Sequence, residues 1–180
     1  MFKAALILAA SLALPGLAAF AVAQESMDEQ YMPVSEDPNW YLQRSTCTLA
    51  HSVNGDSPAV VRFRIGMGVE IEFVDPALRN VRQGVSAEFD VAVDGAREWG
   101  MGMGIAEEGR RGYRLSLASY EILDRIGTGR RLEAMTGGRT LLRLDLAGAA
   151  PAIAAMRACY DAAAAEADTM VDDGNISNAM

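Results

Sequence analysis

Two runs of alternating apolar and charged residues, joined by Gly66-Met67-Gly68, constrain the fold of this chain more than any other feature. Residues 61–65 alternate apolar side chains with two arginines, and residues 69–73 alternate them with two glutamates. A hairpin with a three-residue loop satisfies both faces in one register, with these facing pairs: Val61 and Phe73, Arg62 and Glu72, Phe63 and Ile71, Arg64 and Glu70, Ile65 and Val69. The pattern predicts an antiparallel hairpin with one buried face and a solvated salt-bridge ladder on the other.

The same period of two recurs along the chain and predicts further strands over residues 46–52, 87–94, 99–105 and 113–117. Their expected inward side chains are Cys47, Leu49 and His51, then Phe89, Val91 and Val93, and finally Tyr113, Leu115 and Leu117. A second hairpin joins residues 131–135 to residues 140–146, with Leu142, Leu144 and Leu146 inward.

Two helices complete the prediction. A short helix capped by Ser119 carries Ile122, Leu123 and Ile126 and is expected to end at Gly127. An alanine-rich helix runs from Pro151 to about Ala167, with an apolar stripe of Ile153, Met156, Tyr160 and Ala163. The expected fold is a β-rich α+β domain. Its antiparallel sheet forms a small sandwich or half-barrel, with a short helix and a C-terminal helix packed on it.

The N-terminal residues have a pattern that is typical of an export signal. Lys3 precedes an apolar run over residues 4–14, and Ala21-Val22-Ala23 supplies the small residues of a cleavage site before Gln24. Residues 1–23 are therefore predicted to be a cleavable signal peptide of a periplasmic or secreted protein, and the alternative is a membrane anchor. Residues 24–38 are expected to form a flexible acidic leader, residues 39–165 a single globular domain and residues 166–180 a disordered acidic tail.

Charge excludes two classes of partner. The chain has 24 acidic and 16 basic residues and a formal charge of −8, so non-specific binding to nucleic acid is not expected. The same excess of negative charge disfavours anionic membrane surfaces. No later stretch is long and apolar enough to predict membrane insertion after signal cleavage.

Cys47 and Cys159 are the two cysteines of the chain. An even count in an exported protein predicts one disulfide, which would join the start of the domain to its end. The alternative is a redox or metal-binding thiol pair, but the chain has no C-x-x-C spacing to favour it.

Residues 99–105, WGMGMGI, alternate strictly between large side chains and glycine. One interpretation is a core strand whose glycine face lets another backbone or ring approach closely. The other is a soft-metal site for Cu(I) or Ag(I), with thioether ligands from Met101 and Met103 and a cation–π contact from Trp99. His51, the single histidine, would complete that ligand set, and Met67 is a further possible sulfur ligand.

Sequence motifs for catalysis are lacking. Glu70 and Glu72 have the spacing of paired carboxylates, but their arginine partners would keep both ionised, which does not suit a general acid. The chain has no nucleophile elbow, zinc-protease or P-loop motif, and one histidine supports few catalytic arrangements. We expect no catalytic residues and no cofactor. An enzyme would need a deep pocket with at least two titratable groups of shifted pKa.

The C-terminal quarter resembles a group of small exported proteobacterial proteins that includes the invasion-associated locus B family and periplasmic accessory proteins of type VI secretion. The matching residues are Leu146, Gly148, Ala152, Ile153, Met156 and Cys159. The resemblance implies a binding or accessory role. The sequence therefore favours a non-enzymatic domain that binds a protein or envelope component through an exposed apolar patch, with a soft-metal-binding protein as the alternative.

Overall fold

The computed structural model of the chain describes residues 31–34, 36, 39–54, 57–107 and 109–175. The predicted signal peptide, residues 1–23, lies outside the described residues. So do most of the predicted leader and the last five residues of the predicted tail.

The described chain is a β-rich α+β fold with one antiparallel sheet and two helices, as the sequence predicts. The first five strands are β1 (Met32–Pro33), β2 (Trp40–Gln43), β3 (Thr48–Asn54), β4 (Ser57–Ile65) and β5 (Val69–Asp75). The other five are β6 (Ser86–Val93), β7 (Ala96–Glu107), β8 (Arg110–Leu117), β9 (Arg131–Thr136) and β10 (Arg139–Asp145). Helix α1 spans Glu121–Thr128 and helix α2 spans Ala149–Asn175.

The ten strands form one open sheet in the order β1-β2-β3-β4-β5-β8-β7-β6-β9-β10. A contact between the two ends of this order shows that the sheet coils. Trp40 of β2 lies against Ala147, just beyond β10. The indole Nε1–H donates to the Ala147 carbonyl at 2.7 Å. Coiling brings the inner faces of distant strands together around one core, which matches the expected half-barrel.

The β4–β5 hairpin has the predicted register. Val61 faces Phe73, Phe63 faces Ile71 and Ile65 faces Val69, while the arginines face the glutamates as expected. Its apolar face lies in the core, next to rings of neighbouring strands. The Phe73 ring lies 6.3 Å from that of Phe89, which in turn lies 4.9 Å from that of Tyr113. The alternation along these strands therefore sets which side chains point inward.

Helix α1 packs Ile122, Leu123 and Ile126 into the core, as predicted. Its ends differ by one or two residues from the prediction. The Ser119 hydroxyl accepts a hydrogen bond from the backbone N–H of Glu121 at 3.0 Å, although Tyr120 is the residue at the cap position. The helix passes through Gly127 and ends before Gly129.

Helix α2 has Pro151 in its first turn, as predicted, and buries Ile153 and Met156. The rest of the predicted stripe is wrong, because Tyr160 and Ala163 are exposed. The helix leaves the body of the domain after Cys159, so nothing described covers its later turns. It continues to Asn175, inside the segment predicted to be a tail.

Cys47 and Cys159 lie at disulfide distance, as the sequence predicts, with Sγ atoms 2.05 Å apart and Cα atoms 5.6 Å apart. Cys47 lies in the turn before β3 rather than within the strand. The pair therefore fixes α2 against the β2–β3 turn. At the N-terminal side, Met32 and Pro33 of the predicted leader pair with β2. No helix among the described residues is long and apolar enough to cross a membrane.

Candidate functional site

The three glycines of β7 lie on the face of the strand that is turned toward the core. A Cβ atom on Gly102 would lie 2.5 Å from the Phe89 ring, and one on Gly100 would lie 2.5 Å from a methyl group of Leu117. A Cβ on Gly104 would overlap the main-chain carbonyl oxygen of Arg82. The predicted role of the glycine face, to let rings and backbone approach closely, is confirmed.

The large side chains of β7 consequently point outward, which corrects the interpretation of them as core residues. Trp99 is 59% exposed, Met101 is 41% exposed and Met103 is 53% exposed. These three residues, called the β7 ridge below, form a row on the outer face of the sheet. Large apolar side chains usually lie inside, so three neighbours on one exposed row are an unusual feature of this surface.

Carboxylates border the β7 ridge on one side. Asp90 of β6 faces Trp99, and Glu88 faces Met101. Both carboxylates are exposed, and neither has an ion-pair partner among the residues that the structure describes. On the other side Arg114 of β8 faces Met103, but its guanidinium binds Glu72. The exposed charge that β6 places beside the ridge is therefore negative, while Arg97 adds a positive charge two residues from Trp99 on the same face of β7.

Glu72 lies at the centre of a charged cluster. Its carboxylate accepts hydrogen bonds from Arg62 at 2.7 Å, Arg114 at 2.8 Å and Arg64 at 3.3 Å. Arg62 also binds Glu107. Glu72 is only 5% exposed, so the expectation of a solvated ladder is wrong at this position. The partner that the hairpin pattern does not reveal is Arg114, which reaches Glu72 because β8 lies beside β5.

The environment of the cluster holds Glu72 and Arg62 in their charged forms. Burial by itself would raise the pKa of Glu72, but hydrogen bonds from Arg114 and Arg62 outweigh it and lower the pKa below its ordinary value. Burial would lower the pKa of Arg62, but hydrogen bonds to Glu107 and Glu72 outweigh it and raise the pKa. Glu72 is therefore ionised near neutral pH and has no proton to donate, as expected from its arginine partners.

Two grooves flank the β7 ridge at its opposite ends. The larger, of about 670 Å³, is lined by the charged Glu72 cluster together with apolar residues, and Met103 lies at its border. The smaller, of about 390 Å³, is mostly apolar and is lined by Met67, Trp99 and Met101. The ridge thus separates a charged concavity from an apolar one.

The predicted soft-metal residues do not all meet. Trp99 and Met101 line the same groove, whereas Met103 faces the other one. His51 is buried on the inner face of β3, where its ring contacts that of Trp40 with centroids 4.5 Å apart. It lies on the opposite face of the sheet from the thioethers, so it is not placed to join them. Among the described residues, no group of three or more His, Cys, Asp and Glu side chains is arranged to hold a metal ion.

A further concavity, of about 960 Å³, lies where the end of β10 approaches β3, with His51 in its lining. Several of its charged side chains make structural contacts. The Asp94 carboxylate accepts hydrogen bonds from the backbone N–H groups of Arg130 at 2.9 Å and Arg131 at 3.1 Å. Arg143 pairs with Glu133 at 2.8 Å. These contacts connect neighbouring segments at this edge.

No protein-family model, curated protein or solved structure matches the chain. Four of the residues that carry the C-terminal resemblance, Leu146, Ala152, Ile153 and Met156, are buried where α2 meets the sheet. They determine how the helix packs and do not contribute to the β7 ridge.

Proposed function

We propose that this protein is an exported, non-enzymatic binding domain whose β7 ridge docks a partner protein with apolar side chains beside lysine or arginine. One observation carries the proposal: Trp99, Met101 and Met103 are exposed together on a strand whose inner face is glycine. The exposed row is not a by-product of core packing, since the core uses the other face of the strand.

The chemistry of the ridge suits protein recognition. Tryptophan and methionine are enriched at protein interfaces, and tryptophan is prominent among residues that dominate binding energy. Methionine side chains are flexible and polarisable, so they adapt to the shape of a partner. A row of three on a paired strand presents them from a rigid backbone, which limits the entropy lost on binding.

Charge indicates the kind of partner. Asp90 and Glu88 lie directly beside Trp99 and Met101, and the whole chain carries a formal charge of −8. A basic side chain placed over the ridge would pair with these carboxylates and contact the face of the Trp99 ring through a cation–π interaction. The negative field would also speed encounter with a basic partner.

Export of the protein is supported by observations other than those on the ridge. The N-terminal sequence has the organisation of a cleavable signal peptide, and Cys47 and Cys159 lie at disulfide distance. Disulfides persist in oxidising compartments outside the cytoplasm. A periplasmic or secreted binding domain also agrees with the accessory role that the C-terminal resemblance implies.

Site-specific photocrosslinking in the cells that produce the protein tests the proposal. A photoreactive residue replaces Met101 on the ridge, and in the control it replaces Arg143, an exposed residue of β10. We expect a discrete protein adduct from position 101 that Trp99→Ser weakens strongly. The charge reversals Glu88→Lys and Asp90→Lys together should also remove it, because they would repel a basic partner.

Each alternative result counts against the proposal. An adduct that survives the charge reversals would contradict a basic partner, and equal adducts from positions 101 and 143 would indicate non-specific capture. A crosslink between two copies of this chain would replace the proposed partner by self-association. Comparing circular dichroism spectra of the variants ensures that loss of the adduct is not loss of the fold.

A further inference from the structure

The smaller groove beside the ridge lies where β8 ends earlier than β7. Leu117 is the last residue of β8, whereas β7 extends past it to Trp99 and beyond. The exposed floor between β7 and the β4–β5 loop is therefore made of small residues, among them Gly68, Gly100, Ser116 and Ala118. Trp99 and Met101 stand on one wall, and Met67 stands on the other.

The loop that carries Met67 is held in place at several points. The Gly66 N–H donates to the Gly68 carbonyl at 2.9 Å, which closes the loop. The Tyr120 hydroxyl donates to the Gly66 carbonyl from the start of α1. Gly68 lies so close to Leu117 that a Cβ atom would overlap the Leu117 carbonyl oxygen. The backbone at position 67 is thus fixed relative to β8, while the Met67 side chain itself is fully exposed.

Neither packing nor turn geometry explains a methionine at position 67. The side chain contributes nothing to the core, and the glycines on either side supply the close approach that the loop needs. What the position does provide is a thioether in the lining of the same groove as the thioether of Met101. Met101 is level with Glu70 across β8, and Met67 comes three residues before Glu70, so the two methionines are offset along the strands as well as across them. Both side chains would have to extend over the groove to share one ion.

We infer that the groove formed by Met67, Trp99 and Met101 is a binding site for a soft monovalent metal ion, Cu(I) or Ag(I). Neutral thioether sulfur is a ligand that such ions prefer, and an indole face adds a cation–π contact. The acidic side chain in the lining, Glu70, lies near Arg64 at 3.8 Å. Hard cations such as Ca²⁺ and Mg²⁺ require several oxygen ligands, which this lining does not supply.

The inferred site differs from the one that the sequence suggests. It uses Met67, which the sequence offers only as a further sulfur ligand, omits His51, and leaves Met103 outside because Met103 faces the other groove. It also goes beyond the proposed docking function, since Met67 is not part of the β7 ridge. Met67 belongs only to the inferred metal site, and Met103 belongs only to the β7 ridge. Substitutions at these two positions therefore separate metal binding from partner binding.

Titration of the mature protein with Ag(I), followed by NMR of methionine methyl groups, tests the inference. We expect the Met67 and Met101 methyl signals to shift together and saturate at one equivalent, with the Met103 signal unchanged. Fluorescence of the exposed Trp99 should fall in parallel, and Trp99→Phe should remove that change while the buried Trp40 remains.

Two variants and one matched control complete the test. Loss of an outer-shell partner of a metal ligand typically weakens metal binding about 10–100-fold, so Met67→Leu and Met101→Leu should each weaken Ag(I) binding at least about tenfold. Met103→Leu should leave the affinity unchanged. All three positions are exposed, so the fold should persist, and near-ultraviolet circular dichroism verifies it.

Equal shifts of all methionine signals, or unchanged affinity in Met67→Leu, would overturn the inference and indicate general binding to exposed thioethers. The two proposals fail independently. Met67→Leu should retain the crosslink from position 101 while losing Ag(I), and loss of the crosslink with intact Ag(I) binding would refute only the docking function.

Discussion

The indole Nε1–H of Trp40 donates a hydrogen bond to the main-chain carbonyl of Ala147, 2.7 Å away and 107 positions later in the chain. Trp40 is fully buried and its ring also lies against those of His51 and Phe63. This contact joins β2 to the connection between β10 and α2, so it closes the coiled sheet where strand pairing does not.

Trp40→Phe removes this donor. The Ala147 carbonyl would lose a partner, at a cost of about 1–3 kcal/mol, and the smaller ring would leave space in the core. We expect the free energy of unfolding to fall by about 3 kcal/mol in urea titrations. Trp99→Phe is the matched control and should change it by less than about 0.5 kcal/mol, because Trp99 is exposed. Equal losses in both variants would contradict the role of the bond.

Glu72→Gln tests the charged cluster. It leaves Arg62, Arg64 and Arg114 close together without their shared carboxylate, so we expect a loss of about 3 kcal/mol at pH 7. Glu70→Gln is the control, because Glu70 is more exposed and its ion pair with Arg64 is longer, at 3.8 Å. It should cost less than about 1 kcal/mol.

The same variant should alter the dependence of stability on pH. Since the pKa of Glu72 is lowered in the folded state, its contribution is present above its ordinary value of 4.5 and is lost as pH falls through the folded pKa. The difference in unfolding free energy between wild type and Glu72→Gln should therefore shrink on acidification below that value. A difference that stays constant down to acid unfolding would show that Glu72 is not held ionised by its arginines.

Gly104→Ala tests why β7 carries glycine on its inner face. The added methyl group would overlap the Arg82 carbonyl oxygen, which is main chain and has little freedom to move. We expect a loss of about 2 kcal/mol or more by thermal unfolding. In Gly66→Ala the methyl group meets nothing within 4 Å, so stability should be unchanged or rise by up to about 1 kcal/mol. Comparable losses in both would argue against close approach at Gly104.

The cysteine pair should contribute substantially to stability. A closed loop of about 100 residues contributes about 4–5 kcal/mol in the chain-entropy model, although measured values are often smaller. We expect Cys47→Ser combined with Cys159→Ser to lower the urea midpoint, and reductant to do the same to wild type. Reductant should have no effect on the double variant. An unchanged midpoint in reduced wild type would contradict a stabilising bridge.

Local pattern predicted the hairpin register because the alternation and the loop length there leave one solution that satisfies both faces. The orientation of β7 could not be predicted in the same way. Period-two alternation separates two faces but does not say which is inside, and the usual preference for large apolar residues gave the wrong answer. The orientation of β7 is decided by groups of other segments that approach its glycines closely, namely the Phe89 ring, Leu115 and the Arg82 carbonyl.

Contacts between residues distant in sequence also explain the other differences between the sequence-based predictions and the structure. The burial of Glu72 depends on Arg114 and on β8 lying beside β5, which the hairpin alone does not imply. The short strand β2 carries too few residues to show a period, so Trp40 gave no signal of its role. Tyr160 and Ala163 continue the helical stripe in sequence, but the sheet ends before they reach it.

Strand β7 contributes main chain rather than side chains to the interior over the length of its ridge. Residues 99, 101 and 103 are thus free of the steric constraints that tie a core position to its neighbours. Substitutions there can accumulate or be selected without compensating changes elsewhere. A lineage, or an engineer, can alter the side chains of this surface one at a time while the folded scaffold is inherited unchanged.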